Sequence, residues 1–182
     1  VGACVLLDEL TRVNMDFVHH VCYQAFFHLE ESIRQGRPAG LQHAFGDWST
    51  IYLALSALPE AARAIWFRWN QYYSDAAFPQ ALPIVFERPH RTLLDVGGNT
   101  GKWAIQCARH SPEVAVTILD LPGQAAVATQ DIAALGLQGR IAVQSCDLLD
   151  HSRALPAGFD AIWMSQFLVC FAEADVRRLL ER

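Results

Sequence analysis

Two periodicities divide the chain. Up to about residue 89, apolar positions recur at helical spacing; from Arg91 they come in short unbroken runs separated by helical stretches. Asn14 to Gln35 is predicted as one long amphipathic helix, with Phe17, Val21, Phe27 and Ile33 among its apolar positions. Gly36 followed by Pro38 stops it. The stretch RPAGLQHAFGD is predicted as a loop, and a helix follows from about Ser49 to Ala57. Pro59 opens the next helix, PEAARAIWFRWNQYY, because proline suits a first helical turn. A further helix is expected from near Pro79 to just before Pro89.

The second pattern alternates strand and helix. Strands are predicted over Arg91–Val96, Val114–Leu119, Arg140–Ser145 and Phe159–Met164. Helices are predicted over Thr100–His110, over Pro122–Leu135 with Gly136 closing it, and over Glu173–Arg182. Such alternation implies right-handed crossovers and a mainly parallel sheet covered on both faces. The expected fold is therefore α/β, a Rossmann-like doubly wound sheet over residues 90–182, preceded by a helical region over residues 1–89.

The helical region is rich in aromatics: Trp48, Trp66, Phe67, Trp69, Tyr72, Tyr73 and Phe78. Aromatics at helical spacing read first as core. A dimer face or the wall of an aromatic-substrate pocket is the rival reading, because 52% of the chain is hydrophobic and mean hydropathy is positive. Net charge is −5, which disfavours nucleic acid as a partner. The apolar runs are far too short for a membrane span, and VGACVLLDEL lacks the basic start of a signal peptide. The five cysteines, Cys4, Cys22, Cys107, Cys146 and Cys170, show neither a disulfide framework nor zinc spacing. A cytoplasmic location is expected.

The chemistry gathers at the strand ends. LLDVGGNTG, Leu93 to Gly101, lies between the first strand and the first helix of the sheet, where doubly wound folds bind ligands. Its glycines let backbone approach a ligand closely. Gly97, Gly98 and Gly101 do not complete G-x-G-x-x-G, and Trp103 stands where a P-loop needs Ser or Thr. The second strand ends in ILDLP, so Asp120 is placed to accept hydrogen bonds from two ribose hydroxyls and to repel a ribose phosphate. The third ends in SCDLL, where Asp147 meets an adenine amino group and Leu148 covers the ring.

DVGGNTG, ILDLP, CDLL and FDAIWMSQFLVCF, in this order, resemble class I S-adenosylmethionine-dependent methyltransferases. More closely, they resemble plant caffeate-type small-molecule O-methyltransferases and their bacterial relatives. The upstream FFHLEESIRQGRPAGLQHAFG is similar to the helical dimerisation region of that family. The resemblance implies S-adenosyl-L-methionine as cofactor, S-adenosyl-L-homocysteine as product, a homodimer, and a small aromatic or polyketide-like acceptor. It implies that Asp95, Gly97, Gly98 and Gly101 line the methionine end, that Asp120 and Leu121 hold the ribose, and that Asp147 and Leu148 frame the adenine. Ser165 falls where plant members carry a Lys near the cofactor, with Gln166 beside it. Tyr72, Tyr73 and Phe78 become candidates for the acceptor wall. That sheet has seven strands against the four found, so the expectation is a chain truncated after its fourth strand.

One departure bears on mechanism. A phenol needs a general base, and plant members place a His after strand four. Here Val169 occupies that position, and Phe171 stands at a usual Trp. His19, His20, His28, His43, His90, His110 and His151 all read as surface or packing residues, and no metal site is expected. O-methylation is favoured by resemblance alone. C- or N-methylation, some of whose acceptors need no base, is the alternative within enzymes. A non-catalytic cofactor-binding or dimer-interface protein is the alternative outside them, and a dehydrogenase ranks third.

Overall fold

A computed structural model describes residues 2–55 and 57–182, without the side chains of residues 4–6. The chain forms two compact units, Val1–Ala77 and Phe78–Arg182. The division falls inside one helix, earlier than the Pro89 boundary expected from the sequence.

The first unit is helical: α1 Gly2–Leu7, α2 Glu9–Phe17, α3 Tyr23–Phe26, α4 Leu29–Gln35, α5 Ala39–Phe45, α6 Ile51–Ala54 and the first part of α7 Glu60–Val85. Asp8 caps α2 by accepting from the Thr11 N–H at 2.7 Å. The single helix expected over Asn14–Gln35 is instead broken twice. A π-helical turn, Val18–Cys22, separates α2 from α3, and the chain leaves helical geometry at His28 (φ −106°, ψ 16°). A π turn adds a residue to the helical count and rotates the apolar face, so Val13 and Val21 are buried while Phe26 and Phe27 stand exposed. Gly36 closes α4 in the left-handed conformation (φ +61°), as expected.

Two further expectations for this region fail. RPAGLQHAFGD is not a loop, since α5 occupies most of it. The first of its two glycines serves close packing rather than a turn: a Cβ on Gly40 would lie 2.4 Å from the Ala25 carbonyl oxygen. Nor does a new helix begin at Pro79, because α7 runs through both Pro79 and Pro83. The predicted helix at Ser49–Ala57 shortens to α6, where Thr50 Oγ1 accepts from the Leu53 N–H at 3.3 Å; Ser56 lies outside the described residues. Phe17 stacks on Trp69 at 4.4 Å and tilts against Trp66 at 5.4 Å, so these aromatics pack inside the first unit.

The second unit holds a four-stranded parallel sheet of order β3-β2-β1-β4: β1 Thr92–Val96, β2 Ala115–Asp120, β3 Ile141–Ser145 and β4 Ala161–Trp163. The helices α8 Lys102–His110, α9 Pro122–Ala134 and α10 Glu173–Leu180 accompany it. Leu93, Leu94, Asp95 and Val96 are all buried, as expected of a strand covered on both faces. Among the described residues only β1 and β2 have neighbours on both sides, and they supply most of the buried strand residues. Gly136 (φ +68°) ends α9: its N–H bonds to Ala133 O and that of Leu137 to Ile132 O, each at 3.1 Å. Among the described residues no helix is long and apolar enough to cross a membrane. Cys22, Cys107, Cys146 and Cys170 are free thiols.

Candidate active site

The site is built at the carboxyl ends of β1 and β2, beside the point between β1 and β4 where strand order reverses. The Gly97 N–H continues the ladder by donating to Leu119 O at 2.8 Å, and the chain then turns sharply. Gly97 (φ +73°), Asn99 (φ +51°) and Gly101 (φ +79°) are all left-handed. The turn closes with Gly101 N–H to Gly98 O at 2.9 Å, and α8 starts at once. Two of the three glycines have no room for a side chain. A Cβ on Gly97 would lie 2.4 Å from the Phe167 ring, and one on Gly98 would lie 2.6 Å from Asp95 Oδ2 and 2.9 Å from Ile118.

Two acids sit beneath this turn. Asp120, 4% exposed, accepts from the Asn99 N–H at 2.8 Å through Oδ2 and from the Leu121 N–H at 2.7 Å through Oδ1. Burial raises its carboxyl above the usual range, and the two N–H donors work against that rise. Asp95, 2% exposed, has no hydrogen-bond partner for Oδ2 among the described residues. Burial, then the charge of Asp120, push its carboxyl up to about 8, so Asp95 is neutral at pH 7. Two unscreened like charges this close do not both ionise readily.

The expected residues do not all converge. Asp95, Gly97, Gly98, Gly101, Asp120 and Leu121 come together as one turn over two strand tips. Asp147, half-buried, follows β3, where the Cys146 N–H bonds to Asp120 O at 2.8 Å. Its Oδ1 accepts from the Leu149 N–H at 3.0 Å, which organises the loop as a turn. Leu148, next to it, is fully buried. Phe78 is buried and tilted against Trp103 at 5.1 Å. Tyr72 and Tyr73 belong to the first unit, where Tyr73 Oη donates to Asn14 Oδ1 at 3.0 Å.

After β4, Ser165 and Gln166 are exposed, and Gln166 takes a left-handed conformation (φ +50°). That bend drives Phe167 inward over Gly97. Val169, 85% exposed, sits in the single turn Leu168–Cys170 and carries no titratable group. Burial and the charge of Asp120 both raise the Cys170 thiol, which places this turn within electrostatic reach of the β2 acid. Sequence reading missed Asn99, Ile118 and Phe167. Only Asn99 carried a signal, since Asn is among the few residues that tolerate a left-handed backbone.

A profile of the O-methyltransferase domain family matches residues 26–182. The L-tyrosine C(3)-methyltransferase of Streptomyces lavendulae is 26% identical over 169 residues, covering 93% of this chain and 45% of that protein. The 3-hydroxy-5-methyl-1-naphthoate 3-O-methyltransferase of Streptomyces sahachiroi is 37% identical over 90 residues, 50% of this chain and 26% of that protein. Among solved structures, the apo form of the S-adenosylmethionine-dependent methyltransferase SibL matches with a TM-score of 0.68 at 30% identity, over 98% of this chain and 52% of that one. The chain spans less than half the length of these two curated relatives. Its sheet and helices have the class I methyltransferase fold that the motifs led us to expect.

The buried acid makes stability depend on pH. An unfolded Asp titrates near about 3.9. The contribution of neutral Asp95 is therefore fully present below about pH 4 and is lost as pH rises towards 8. Urea unfolding should show wild-type stability falling across that window relative to Asp95→Asn, by on the order of a few kcal/mol. A difference between the two proteins that does not change with pH would contradict the burial of a neutral acid.

Proposed function

The chain belongs to the O-methyltransferase domain family, and from that premise we propose that it binds S-adenosyl-L-methionine and methylates a small aromatic or polyketide-like acceptor, oxygen being favoured. The observation that carries this reading is the glycine turn fastened to the buried carboxylate of Asp120. Both Asp120 oxygens are oriented by backbone N–H groups, and each keeps lone-pair capacity for a ribose hydroxyl. A carboxylate there also repels the ribose phosphate of a phosphorylated dinucleotide. Gly97, Gly98 and Gly101 keep side chains away from the methionine end. Asp147 offers an acceptor for the adenine amino group, and Ser165 with Gln166 flanks the cofactor from the turn after β4.

When bound, S-adenosyl-L-methionine supplies a methyl group on a positively charged sulfur. The chain's own task is to bind and orient, which accounts for much of the rate in a displacement of this kind. The buried carboxylate of Asp120 sets a negative field that favours a cationic ligand. The aromatic acceptor class is supported by the two curated relatives, whose names specify a tyrosine and a naphthoate.

Val169 favours a second reading. An exposed valine cannot take a proton from a phenol. C- or N-methylation of an acceptor that needs no base at this turn fits that side chain, and one relative is named a C-methyltransferase.

We further propose a homodimer formed through the first unit. Met15, Val18, Tyr23, Phe26, Phe27 and Ile33 are exposed there, an unusual concentration of apolar surface. An open apolar groove of about 350 Å³ runs past Asn14, Met15, Val18, His19 and Tyr23. A cytoplasmic location and the absence of nucleic-acid and membrane partners complete the reading, supported by the acidic net charge.

Removing Asp120 tests the cofactor assignment. Asp120→Ala should weaken S-adenosylmethionine binding by at least about 100-fold, the scale of two lost hydrogen bonds to a charged group, and should abolish transfer of radiolabelled methyl to any acceptor. Unchanged affinity would overturn the assignment. Cofactor binding without transfer across a panel of phenolic, C-nucleophilic and amine acceptors would favour the non-catalytic alternative. Sedimentation at tens of micromolar should show a dimer, and a well-behaved monomer would contradict the proposed interface.

A further inference from the structure

We propose that His28, Glu31 and His43 form a site for one divalent transition-metal ion of the zinc type. This site lies wholly in the first unit and does not rest on the methyl-transfer reading. His28 occupies the break between α3 and α4, Glu31 lies in the first turn of α4, and His43 in the last turn of α5. No metal pattern is visible along the chain, because the third ligand follows twelve residues after Glu31, beyond the left-handed Gly36. The fold returns α5 against α4 and closes the group.

The geometry suits a small cation. Ligating atoms of all three residues lie within 4.8 Å of one another. Glu31 Oε2 is 3.1 Å from His43 Nε2 and 3.6 Å from His28 Nδ1. Tetrahedral zinc with bonds of about 2.0–2.1 Å sets neighbouring ligand atoms roughly 3.3 Å apart, and the two separations bracket that spacing. The imidazoles stack at 3.7 Å with 10° between their planes. Parallel rings direct their lone pairs side by side, so binding requires each ring to turn about χ2. Both side chains are partly exposed, at 34% and 49%, and have room to do so.

The surroundings already orient the carboxylate. Arg37 Nη2 donates to Glu31 Oε1 at 2.6 Å, leaving Oε2 to the imidazoles. Arg37 is itself fixed by hydrogen bonds to Gln35 and Gln42. Outer groups of this kind fix the side chains that touch the ion in metal sites. Two imidazoles and one carboxylate favour zinc over magnesium or calcium, and three protein ligands leave a fourth position for water. Metal here would tie the start of α4 to the end of α5 and stabilise the first unit by binding the folded state alone.

The test uses the whole 182-residue chain, freed of metal with a chelator that is then removed. Zinc ion is titrated in competition with a chromophoric chelator, and cobalt(II) is added separately as a spectroscopic probe. The expected result is one equivalent bound at micromolar or tighter affinity, with a rise in Tm. His28→Ala and His43→Ala should each weaken binding at least about 100-fold, more than the loss of an outer group. Cys22→Ser and Cys170→Ser should leave it unchanged. Bound cobalt should show visible bands without a thiolate charge-transfer band. The proposal is overturned if no stoichiometric binding is found, if it survives the double histidine substitution, or if it follows the cysteines. Should a histidine variant fail to fold by circular dichroism, Glu31→Gln, which keeps the side-chain shape, must show the loss instead.

Discussion

The hydrogen bond from the Asn99 N–H to the Asp120 carboxylate fastens the loop after β1 to the tip of β2, and the site depends on it. A carboxylate 4% exposed is costly unless it is hydrogen-bonded. The protein meets that cost with backbone donors from Asn99 and Leu121, and the turn must present them. Asn99 therefore adopts a left-handed backbone, and Gly98 passes so close over Asp95 that a methyl group would not fit. Ile118 forms the floor beneath Gly98 and Gly101. Burial, and then the charge of Asp120 beside it, push the Asp95 carboxyl up, and one buried pair presents a fixed acceptor beside a neutral acid.

The turn after β4 closes the same region from another side. Gln166 bends left-handed, Phe167 covers Gly97, and Phe171 meets Phe167 edge-on at 4.8 Å. Glycine at position 97 is thus required by the protein's own packing as well as by its conformation. The exposed valine beside this turn separates two kinds of constraint. The acids and glycines of the turn are held by burial and backbone bonding, whereas Val169 stands exposed.

Much of this was legible in the sequence. Buried parallel strands must be apolar throughout, so an acid at a strand end, such as Asp95 or Asp120, stands out at once. Helix stops at Gly36 and Gly136 were legible for a similar reason, since each needs a left-handed residue. What escaped depends on contacts between distant segments. Gly40 looked like a loop glycine but lets α5 approach the Ala25 carbonyl. Pro79 looked like a helix start, yet α7 continues through it, with the buried Phe78 and Leu82 on either side of it. The π turn in Val18–Cys22 leaves no mark on apolar spacing.

The central claim is that this turn, with Asp120 beneath it, is a working adenosyl-ligand site. Calorimetric titration of the chain with S-adenosylmethionine and S-adenosylhomocysteine tests it most directly. The account expects one site per chain with micromolar affinity for both ligands, since the ribose and adenine contacts do not depend on the transferable methyl. Absence of heat and of competition at hundreds of micromolar, in a chain shown to be folded, would contradict it.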